Sequence, residues 1–322
     1  DIKRDLGEFP FHGFWGPAAG LDTPQGSADC VSRWIAESAK WIEDKHSPTL
    51  SLVYLPHLDY NLQRLGPESG AIATDLREID TIVGGLLEFY QKNGVQVVLL
   101  SEYGITEVNK AIHLNRLFRK RGWLTVKEEL GRELLDAGAS RAFAVADHQV
   151  AHVYLNRNED ESFRCEVQKF LREIEGVQSV LDTASKKGLG IDHDRSGDLI
   201  AVAKENAWFT YYYWLEDACA PDFARTVDIH RKPGFDPAEL FIDPHITFPK
   251  LRITCRLLQK KLGLRMLMDV IPLDASLVKG SHGCRPSSRS DWPVCIGPDE
   301  NWFQGEVLAS TDIHNVILQA VG

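Results

Sequence analysis

The sequence predicts an α/β fold with a mostly parallel sheet that is flanked by helices on both faces. Two short apolar runs, at residues 50–55 and 95–100, have the length and composition of buried parallel strands. Between them, residues 74–92 repeat apolar side chains at helical spacing, and the pair Asn93-Gly94 is a helix stop signal. A strand, a helix and a second strand in this order form a right-handed crossover, so we expect the two strands to be interior and parallel.

The rest of the chain continues the alternation of helices and strands. Residues 31–44 carry apolar side chains at helical spacing before the first strand. Residues 207–214 are strongly aromatic, and we expect them in the core or in a substrate wall rather than on a nucleic-acid platform. Residues 251–262 predict an amphipathic helix, rich in Lys and Arg, on the surface or against a partner. Further strands are predicted at residues 142–146, 152–155, 177–181 and 199–203, and a further helix at residues 161–175.

The organisation of the chain is simplest as one α/β domain over residues 1–322. This length accommodates one large domain or two smaller ones, and there is no internal repeat or low-complexity tract. Pro and Gly residues predict a loop-rich excursion at about 217–250, of the kind that often serves as a lid or linker. The aromatic loop at residues 9–17 has no element before it to pack on, so we expect a missing N-terminal part of the domain upstream of Asp1.

The charge and the cysteines exclude several classes of protein. Lys and Arg number 36 and Asp and Glu number 46, which gives a net charge of −10 and disfavours binding to nucleic acid or to an anionic membrane. No apolar run reaches the roughly 18 residues of a membrane span. The six cysteines are scattered without a CxxC pair, although Cys284 and Cys295 could still pair. These features predict a soluble, cytoplasmic protein with reduced thiols.

Acidic residues follow both predicted strands, and a histidine flanked by small residues comes late in the chain. Asp59 follows the first strand, Glu102 follows the second, and His282 lies in a Gly-Ser-His-Gly stretch. Open α/β sheets bind ligands at the carboxyl ends of their strands, so we expect the three side chains to converge on one pocket as metal ligands. A helix cap or a turn is the alternative role for each carboxylate.

Four segments resemble, in order and separation, the motifs of a known family. Residues 56–67, PHLDYNLQRLGP, are similar to Pro-x-x-Asp-x-x-Gly-His-x-x-Gly-Pro, and residues 101–108, SEYGITEV, to Ser-Asp-His-Gly-Met-x-x-Val. Residues 280–283, GSHG, are similar to Gly-Thr-His-Gly, and residues 195–199, RSGDL, to Arg-x-Gly-Asp-Leu. These are the motifs of the type I phosphodiesterase/nucleotide pyrophosphatase family, which belongs to the alkaline phosphatase superfamily.

The resemblance implies an alkaline-phosphatase-like fold and a hydrolase of phosphate esters or phosphonates with two divalent metal ions. In such a site a Thr or Ser hydroxyl attacks phosphorus while the metals hold the attacking and leaving oxygens. By motif position, Asp59 and His282 are ligands of one metal and Glu102 is a ligand of the other. The family's first Asp ligand and its nucleophile precede all four motifs, so we expect the nucleophile upstream of this chain and expect the chain alone to be inactive.

The chain departs from the family at two ligand positions. Gln63 and Tyr103 stand where the family has histidines, which leaves fewer nitrogen ligands than a two-zinc centre has. Either Mn or Mg takes the place of Zn, with the oxygens of Gln63 and Tyr103 as ligands, or other histidines substitute. The candidate histidines are His57, His148, His152 and His230. A buried, hydrogen-bonded histidine is the alternative for each of them.

Three functions are consistent with the sequence. The first is a metal-dependent phosphodiesterase, nucleotide pyrophosphatase or related phosphatase that acts on a small phosphorylated substrate. The second, suggested by Gln63 and Tyr103, is a degenerate, non-catalytic family member that binds a phosphorylated ligand or a protein partner. The third is an interaction domain that uses the helix predicted at residues 251–262. We interpret Asp22-Thr23 as a turn rather than as a replacement nucleophile.

Overall fold

A computed structural model describes residues 1–10, 28–156, 160–228, 230–303 and 305–321 of the chain. Most of the aromatic loop at residues 9–17 and the turn expected at Asp22-Thr23 lie outside these residues. The described helices are α1 (Ile2–Leu6), α2 (Ala28–His46), α3 (Asp59–Leu65), α4 (Ile72–Lys92), α5 (Leu114–Lys120), α6 (Glu161–Glu173), α7 (Thr183–Gly188), α8 (Pro249–Lys261) and α9 (Ile313–Val321).

The strands are short except in one sheet. They are β1 (Leu99–Leu100), β2 (Thr106–Glu107), β3 (Lys110–Ile112), β4 (Val126–Glu129), β5 (Arg132–Leu135), β6 (Ala142–Asp147), β7 (Val150–Leu155), β8 (Val177–Leu181), β9 (Leu199–Ala203), β10 (Ala207–Phe209), β11 (Gly280–Ser281) and β12 (Cys295–Ile296). Short 3-10 helices lie at Asp217–Cys219, Asp222–Arg225, Pro237–Leu240, Ala275–Leu277, Arg289–Asp291, Glu300–Trp302 and Ser310–Asp312.

Contacts between residues divide the chain into two compact units. The first unit comprises Asp1–Gly104 and Pro286–Gly322, and the second comprises Ile105–Arg285. The boundary falls inside the motif at residues 101–108, so that SEYG belongs to the first unit and ITEV to the second. The single domain expected over residues 1–322 stays a prediction.

Two long helices build the core of the first unit. α2 and α4 carry apolar residues three and four positions apart, so each helix has one apolar face. These faces pack together through Ala36, Ala39, Ile82, Leu86 and Tyr90. α4 ends at the predicted stop signal, where Gly94 has a φ of 71°, a left-handed conformation that glycine adopts without strain. The helices predicted at residues 31–44 and 74–92 are confirmed.

The prediction of two interior, parallel strands in the same unit is wrong. Residues 50–55 are irregular, and of residues 95–100 only β1 pairs, antiparallel to β12. Val53 and Leu55 pack against the helical core, whereas Leu52 is 82% exposed. The apolar run therefore reflects a segment that packs against the helical core on one side only. A strand also needs a partner for its backbone hydrogen bonds, and no described residue forms strand pairing with residues 50–55.

The largest sheet lies in the second unit and is antiparallel. Its strand order is β6-β7-β9-β8, and each neighbouring pair runs antiparallel. A two-residue turn, His148 and Gln149, joins β6 to β7, and such a turn can only join antiparallel strands. Among the described strands, only β3 and β10 pair in parallel. The chain thus combines helices with small sheets, and the mostly parallel sheet predicted from the sequence is not found in the described residues.

Helix α6 packs against β8 of this sheet. It buries Phe163, Val167 and Leu171, which lie four residues apart on one face. Its first turn is capped by Asp160, whose carboxylate accepts a hydrogen bond from the Phe163 amide at 2.9 Å. The predicted helix at residues 161–175 and the predicted strands at residues 142–146, 152–155, 177–181 and 199–203 are confirmed.

The aromatic run at residues 207–214 lies in the core of the second unit, which confirms the core interpretation. Its buried rings are Trp208, Phe209, Tyr211, Tyr212, Tyr213 and Trp214.

The excursion at about 217–250 contains three 3-10 helices and a buried ion-pair cluster, in which Lys232 lies 2.7 Å from both Asp236 and Glu239. α8 buries none of its side chains, as expected for a surface helix. None of the helices in the described part of the chain combines the length and apolar character that crossing a membrane requires.

Candidate functional site

Asp59 is the first residue of helix α3, in the first unit. Its carboxylate lies in the first turn, where the helix dipole favours a negative charge. The hydroxyl of Tyr103 donates a hydrogen bond to Oδ1 of Asp59 at 3.1 Å. The structure therefore joins the first motif to the second within this unit.

The backbone around Glu102 is fixed on both sides of that residue. The amide of Ser101 donates to the carbonyl of Val294, and the amide of Val294 donates to the Ser101 hydroxyl, each at 2.9 Å. A Cβ atom on Gly104 would lie only 1.7 Å from the carbonyl oxygen of Asp291. Ser101 thus fixes the backbone by hydrogen bonds and Gly104 allows its close approach to Asp291, while Glu102 is exposed.

The charges of Asp59 and Glu102 act on the same two tyrosines. Burial raises the pKa of Tyr54, and the carboxylates of Asp59 and Glu102 raise it further. Burial also raises the pKa of Tyr103 far above its ordinary value, with Asp59 as the next cause. Tyr103 is therefore a protonated phenol that donates to Asp59, whereas a tyrosine that binds a metal does so as a phenolate.

Gln63 lies one turn after Asp59 on α3 and is buried. Neither its amide nitrogen nor its amide oxygen has a hydrogen-bond partner among the described residues. An unsatisfied buried polar group costs roughly 1–3 kcal/mol. A cation at the amide oxygen would offset part of this cost, so Gln63 fits the role of an oxygen ligand.

In the second unit, His282 lies in a loop that Gln149 holds from both sides. The Gln149 amide donates to the carbonyl of His282 at 2.8 Å, and the Cys284 amide donates to the Gln149 side-chain oxygen at 3.2 Å. Gly283 has a φ of 116°, a conformation that residues with a side chain rarely adopt. The last glycine of the Gly-Ser-His-Gly stretch is thus required for the backbone path around His282.

The ring of His282 packs on the ring of His148, and the two centroids are 3.8 Å apart. The ring of Phe235 also stacks on the ring of His148, and these two centroids are 4.2 Å apart. Oδ1 of Asp147 lies 2.7 Å from Nδ1 of His148. Because a carboxylate only accepts, Nδ1 is the donor in this contact, which leaves Nε2 as the ring nitrogen that a ligand could take. That Nε2 is buried without a hydrogen-bond partner among the described residues.

The pKa of His282 favours the uncharged form of its imidazole. Burial lowers the pKa of His282 to about 3, the neighbouring His148 lowers it too, and Asp147 opposes the shift. The pKa of Asp147 is lowered, chiefly by its hydrogen bond with His148. At neutral pH His282 is therefore uncharged beside a carboxylate, and the uncharged imidazole is the form that binds a metal.

The other candidate histidines have different surroundings. His152, on β7, accepts a hydrogen bond at Nδ1 from the amide of Gly197, which belongs to the RSGDL stretch, at 3.0 Å. His230 is an exposed turn residue. His57 is buried in the first unit, where its Nε2 lies 3.3 Å from Oε2 of Glu78.

The predicted site residues thus come together in two groups, one in each unit. The first group is Asp59, Glu102 and Tyr103, and the second is His148 and His282. Sequence reasoning did not single out Asp147, whose contact with Nδ1 of His148 is of the kind that orients histidines in metal sites. Nε2 of His148 and the amide oxygen of Gln63 are buried without a hydrogen-bond partner among the described residues, and both atoms are of types that bind divalent cations. The convergence of Asp59, Glu102 and His282 in one pocket stays a prediction.

The chain matches a known protein family over more than half of its length. The profile of the family described as type I phosphodiesterase / nucleotide pyrophosphatase matches residues 16–236. An uncharacterized pyrophosphatase/phosphodiesterase of Schizosaccharomyces pombe is 32% identical to this chain over 87 residues. That alignment covers 24% of this chain and 18% of the yeast protein.

Solved structures with similarity to this chain include two hydrolytic enzymes. Phosphonoacetate hydrolase from Sinorhizobium meliloti 1021, in complex with phosphonoformate, has a TM-score of 0.44 and 18% identity over 63% of this chain and 48% of that one. An inactive variant of murine ectonucleotide pyrophosphatase / phosphodiesterase 5, in complex with AMP, has a TM-score of 0.40 and 16% identity over 56% and 45%. The matched part of the chain spans less than half the length of each relative.

Proposed function

The chain belongs to the type I phosphodiesterase / nucleotide pyrophosphatase family, and we propose that it acts in metal-dependent hydrolysis of phosphate esters. The proposed substrate is a small phosphorylated molecule. A net charge of −10 argues against a nucleic acid or an anionic membrane as the partner. A cytoplasmic location stays a prediction.

The stacked imidazoles of the second unit carry this proposal. Nε2 of His148 is buried without a hydrogen-bond partner in the described residues, and Asp147 holds the opposite nitrogen. An orphaned buried nitrogen is costly unless a ligand takes its lone pair. A carboxylate on the far side of the ring is the usual support of a metal-binding histidine. We therefore assign His282 and His148 as imidazole ligands. His148 would replace one of the two motif histidines that this chain lacks.

The first unit carries oxygen donors that we propose as metal ligands. Asp59 and Glu102 offer carboxylates, and Gln63 offers an amide oxygen that has no partner among the described residues. Oxygen donors favour Mn or Mg, whereas imidazoles suit Zn. We therefore propose two divalent ions whose ligands favour different metals. When bound, such ions neutralise charge on the transferring phosphoryl group and lower the pKa of the attacking hydroxyl. Tyr103 orients the Asp59 carboxylate by its hydrogen bond.

The resemblance implies that the attacking hydroxyl belongs to a Thr or Ser that precedes Asp59. An assay of the 322-residue chain with added Mn, Mg or Zn would test whether this hydroxyl lies within the chain. Enzyme-like turnover by this chain that is abolished by Asp59→Ala would show that the nucleophile lies within it.

The test of the proposed function is turnover of bis-p-nitrophenyl phosphate by the natural full-length protein with added Mn, Mg or Zn. We expect His148→Gln and His282→Gln each to lower kcat/KM by roughly 100-fold, because each removes an imidazole ligand. His314→Gln is the matched control at an exposed histidine and should leave kcat/KM unchanged. Wild-type rates in both ligand variants would contradict the assignment. Binding of a phosphorylated ligand without turnover would support the non-catalytic alternative.

A further inference from the structure

Helix α4 and the segment before α3 form another cluster of side chains that can bind a metal. Asp75 and Glu78 are three residues apart in α4, which places both carboxylates on one face of the helix. His57 lies two residues before Asp59 in the chain. One ligand atom from each of His57, Asp75 and Glu78 lies within 4.8 Å of the others.

The environment of His57 distinguishes this cluster from a solvated pair of acids. The His57 side chain is 0% exposed, whereas that of Glu78 is 39% exposed. Neither ring nitrogen of His57 makes a hydrogen bond among the described residues, and Nε2 faces Oε2 of Glu78 at 3.3 Å. Buried polar atoms without a partner are rare in folded proteins, and an ion or water commonly accounts for them.

The carboxylate of Asp75 is oriented by a neighbouring chain of hydrogen bonds. Nδ2 of Asn61 donates to Oδ2 of Asp75 at 2.8 Å, and Nη1 of Arg64 donates to Oδ1 of Asn61 at 3.0 Å. Outer hydrogen bonds of this kind orient the carboxylates that bind metals. The cluster thus has both a set of ligands and the contacts that hold one of them in place.

We propose that His57, Asp75 and Glu78 bind one divalent cation, and that Zn²⁺ is the best match. One imidazole nitrogen and two carboxylate oxygens suit Zn²⁺, which often has three protein ligands and a water. Mg²⁺ and Ca²⁺ take oxygen ligands instead. The bound cation ties α4 to the segment that leads into Asp59, so it positions this residue. The proposal stands whether or not the protein hydrolyses phosphate esters.

The experiment titrates Zn²⁺ alone into metal-stripped full chain and measures binding by calorimetry. An Asp59→Asn/His282→Gln background removes ligands of the proposed catalytic metals, and we expect it to bind one Zn²⁺ per chain at the new site. Glu78→Gln and Asp75→Asn should each weaken this binding at least tenfold, because each removes a ligand. Asp80→Asn is the matched control on the exposed side of the same helix and should leave the affinity unchanged.

Two further variants sharpen the result. Asn61→Ala should weaken Zn²⁺ binding roughly tenfold through the orientation of Asp75, and His57→Asn tests the buried imidazole. If His57→Asn fails to fold, Glu78→Gln still decides the question, since its side chain is partly exposed. No Zn²⁺ bound by the background protein, or an unchanged affinity in folded Glu78→Gln, would overturn the proposal.

Discussion

Gly104 is the last residue of the SEYG segment and has no space for a side chain. A Cβ atom would lie 1.7 Å from the carbonyl oxygen of Asp291, a backbone atom that cannot rotate away. Gly104→Ala must therefore displace the backbone of the first unit. We expect it to lower the free energy of unfolding, measured in urea, by about 3 kcal/mol or more.

Gly84 is the matched control for this prediction, because it lies inside helix α4 and an added Cβ would meet nothing within 4 Å. Alanine is the better helix former, so Gly84→Ala should raise the free energy of unfolding by about 0.5–1 kcal/mol. Equal effects of Gly104→Ala and Gly84→Ala would contradict the packing that we describe for the SEYG segment.

His113 gives the stability of the second unit a pH dependence with a definite sign. Burial is the main cause that lowers its pKa from 6.5 to about 4, and the charge of Arg116 is the next. Between these two values the unfolded state binds more protons than the folded state, so the free energy of unfolding falls as the pH falls from 6.5 towards 4. Above pH 6.5 the contribution of His113 is constant, and its full size is at most about 3 kcal/mol.

Urea unfolding at pH 7.5 and at pH 4.5, chosen to bracket roughly this window, measures the contribution of His113. His113→Asn should flatten the loss of stability between the two values, since asparagine does not titrate. His314→Asn, at an exposed histidine, should leave the loss as in the wild type. A wild-type pH dependence in His113→Asn would show that other groups are responsible.

At the scale of elements, Asn115 closes the edge of the four-stranded sheet. β6 is an edge strand, and the side chain of Asn115 in α5 accepts from the Ala144 amide at 2.7 Å and donates to the Ala144 carbonyl at 2.8 Å. Asn115→Leu leaves both buried backbone groups without their partner, so we expect a loss of about 3 kcal/mol in the free energy of unfolding. Asn206→Leu, at an exposed position, should cost less than about 0.5 kcal/mol. Equal losses in the two variants would contradict this role.

The elements that could be predicted from the sequence are those in which apolar side chains recur at regular spacing over many residues. Helices α2, α4, α6 and α8 and the strands of the four-stranded sheet were predicted near their observed bounds, because periodicity reports which face of an element is buried. Pairing between strands depends on segments that are distant in the chain, and no local pattern encodes it. Residues 50–55 illustrate the difference, since Val53 and Leu55 are packed as expected and yet form no ladder with described residues.

The candidate site was predictable in residue type but not in its contacts. Asp59 and Glu102 were found because they follow apolar runs and match family motifs. The packing of His148 on His282 was not predictable, because it depends on a hairpin turn and a distant loop that Gln149 brings together. Burial of a polar group without a partner is equally invisible in the sequence.

At the scale of the whole molecule, the chain carries its proposed metal-binding groups in both compact units. The first unit carries the carboxylates of Asp59 and Glu102, and the second carries the packed imidazoles of His148 and His282. The proposed activity is metal-dependent hydrolysis, although Gln63 and Tyr103 stand at two positions where the family motifs have histidines.

The most direct test of this claim is turnover of bis-p-nitrophenyl phosphate by the natural full-length protein before and after removal of metal. We predict that a chelator abolishes turnover, that Mn or Zn restores it, and that the same additions fail to restore it in His148→Gln. The metal content of each sample must be measured alongside its turnover, by mass spectrometry of the elements present. Full turnover by protein that is free of metal by this measurement would contradict the account.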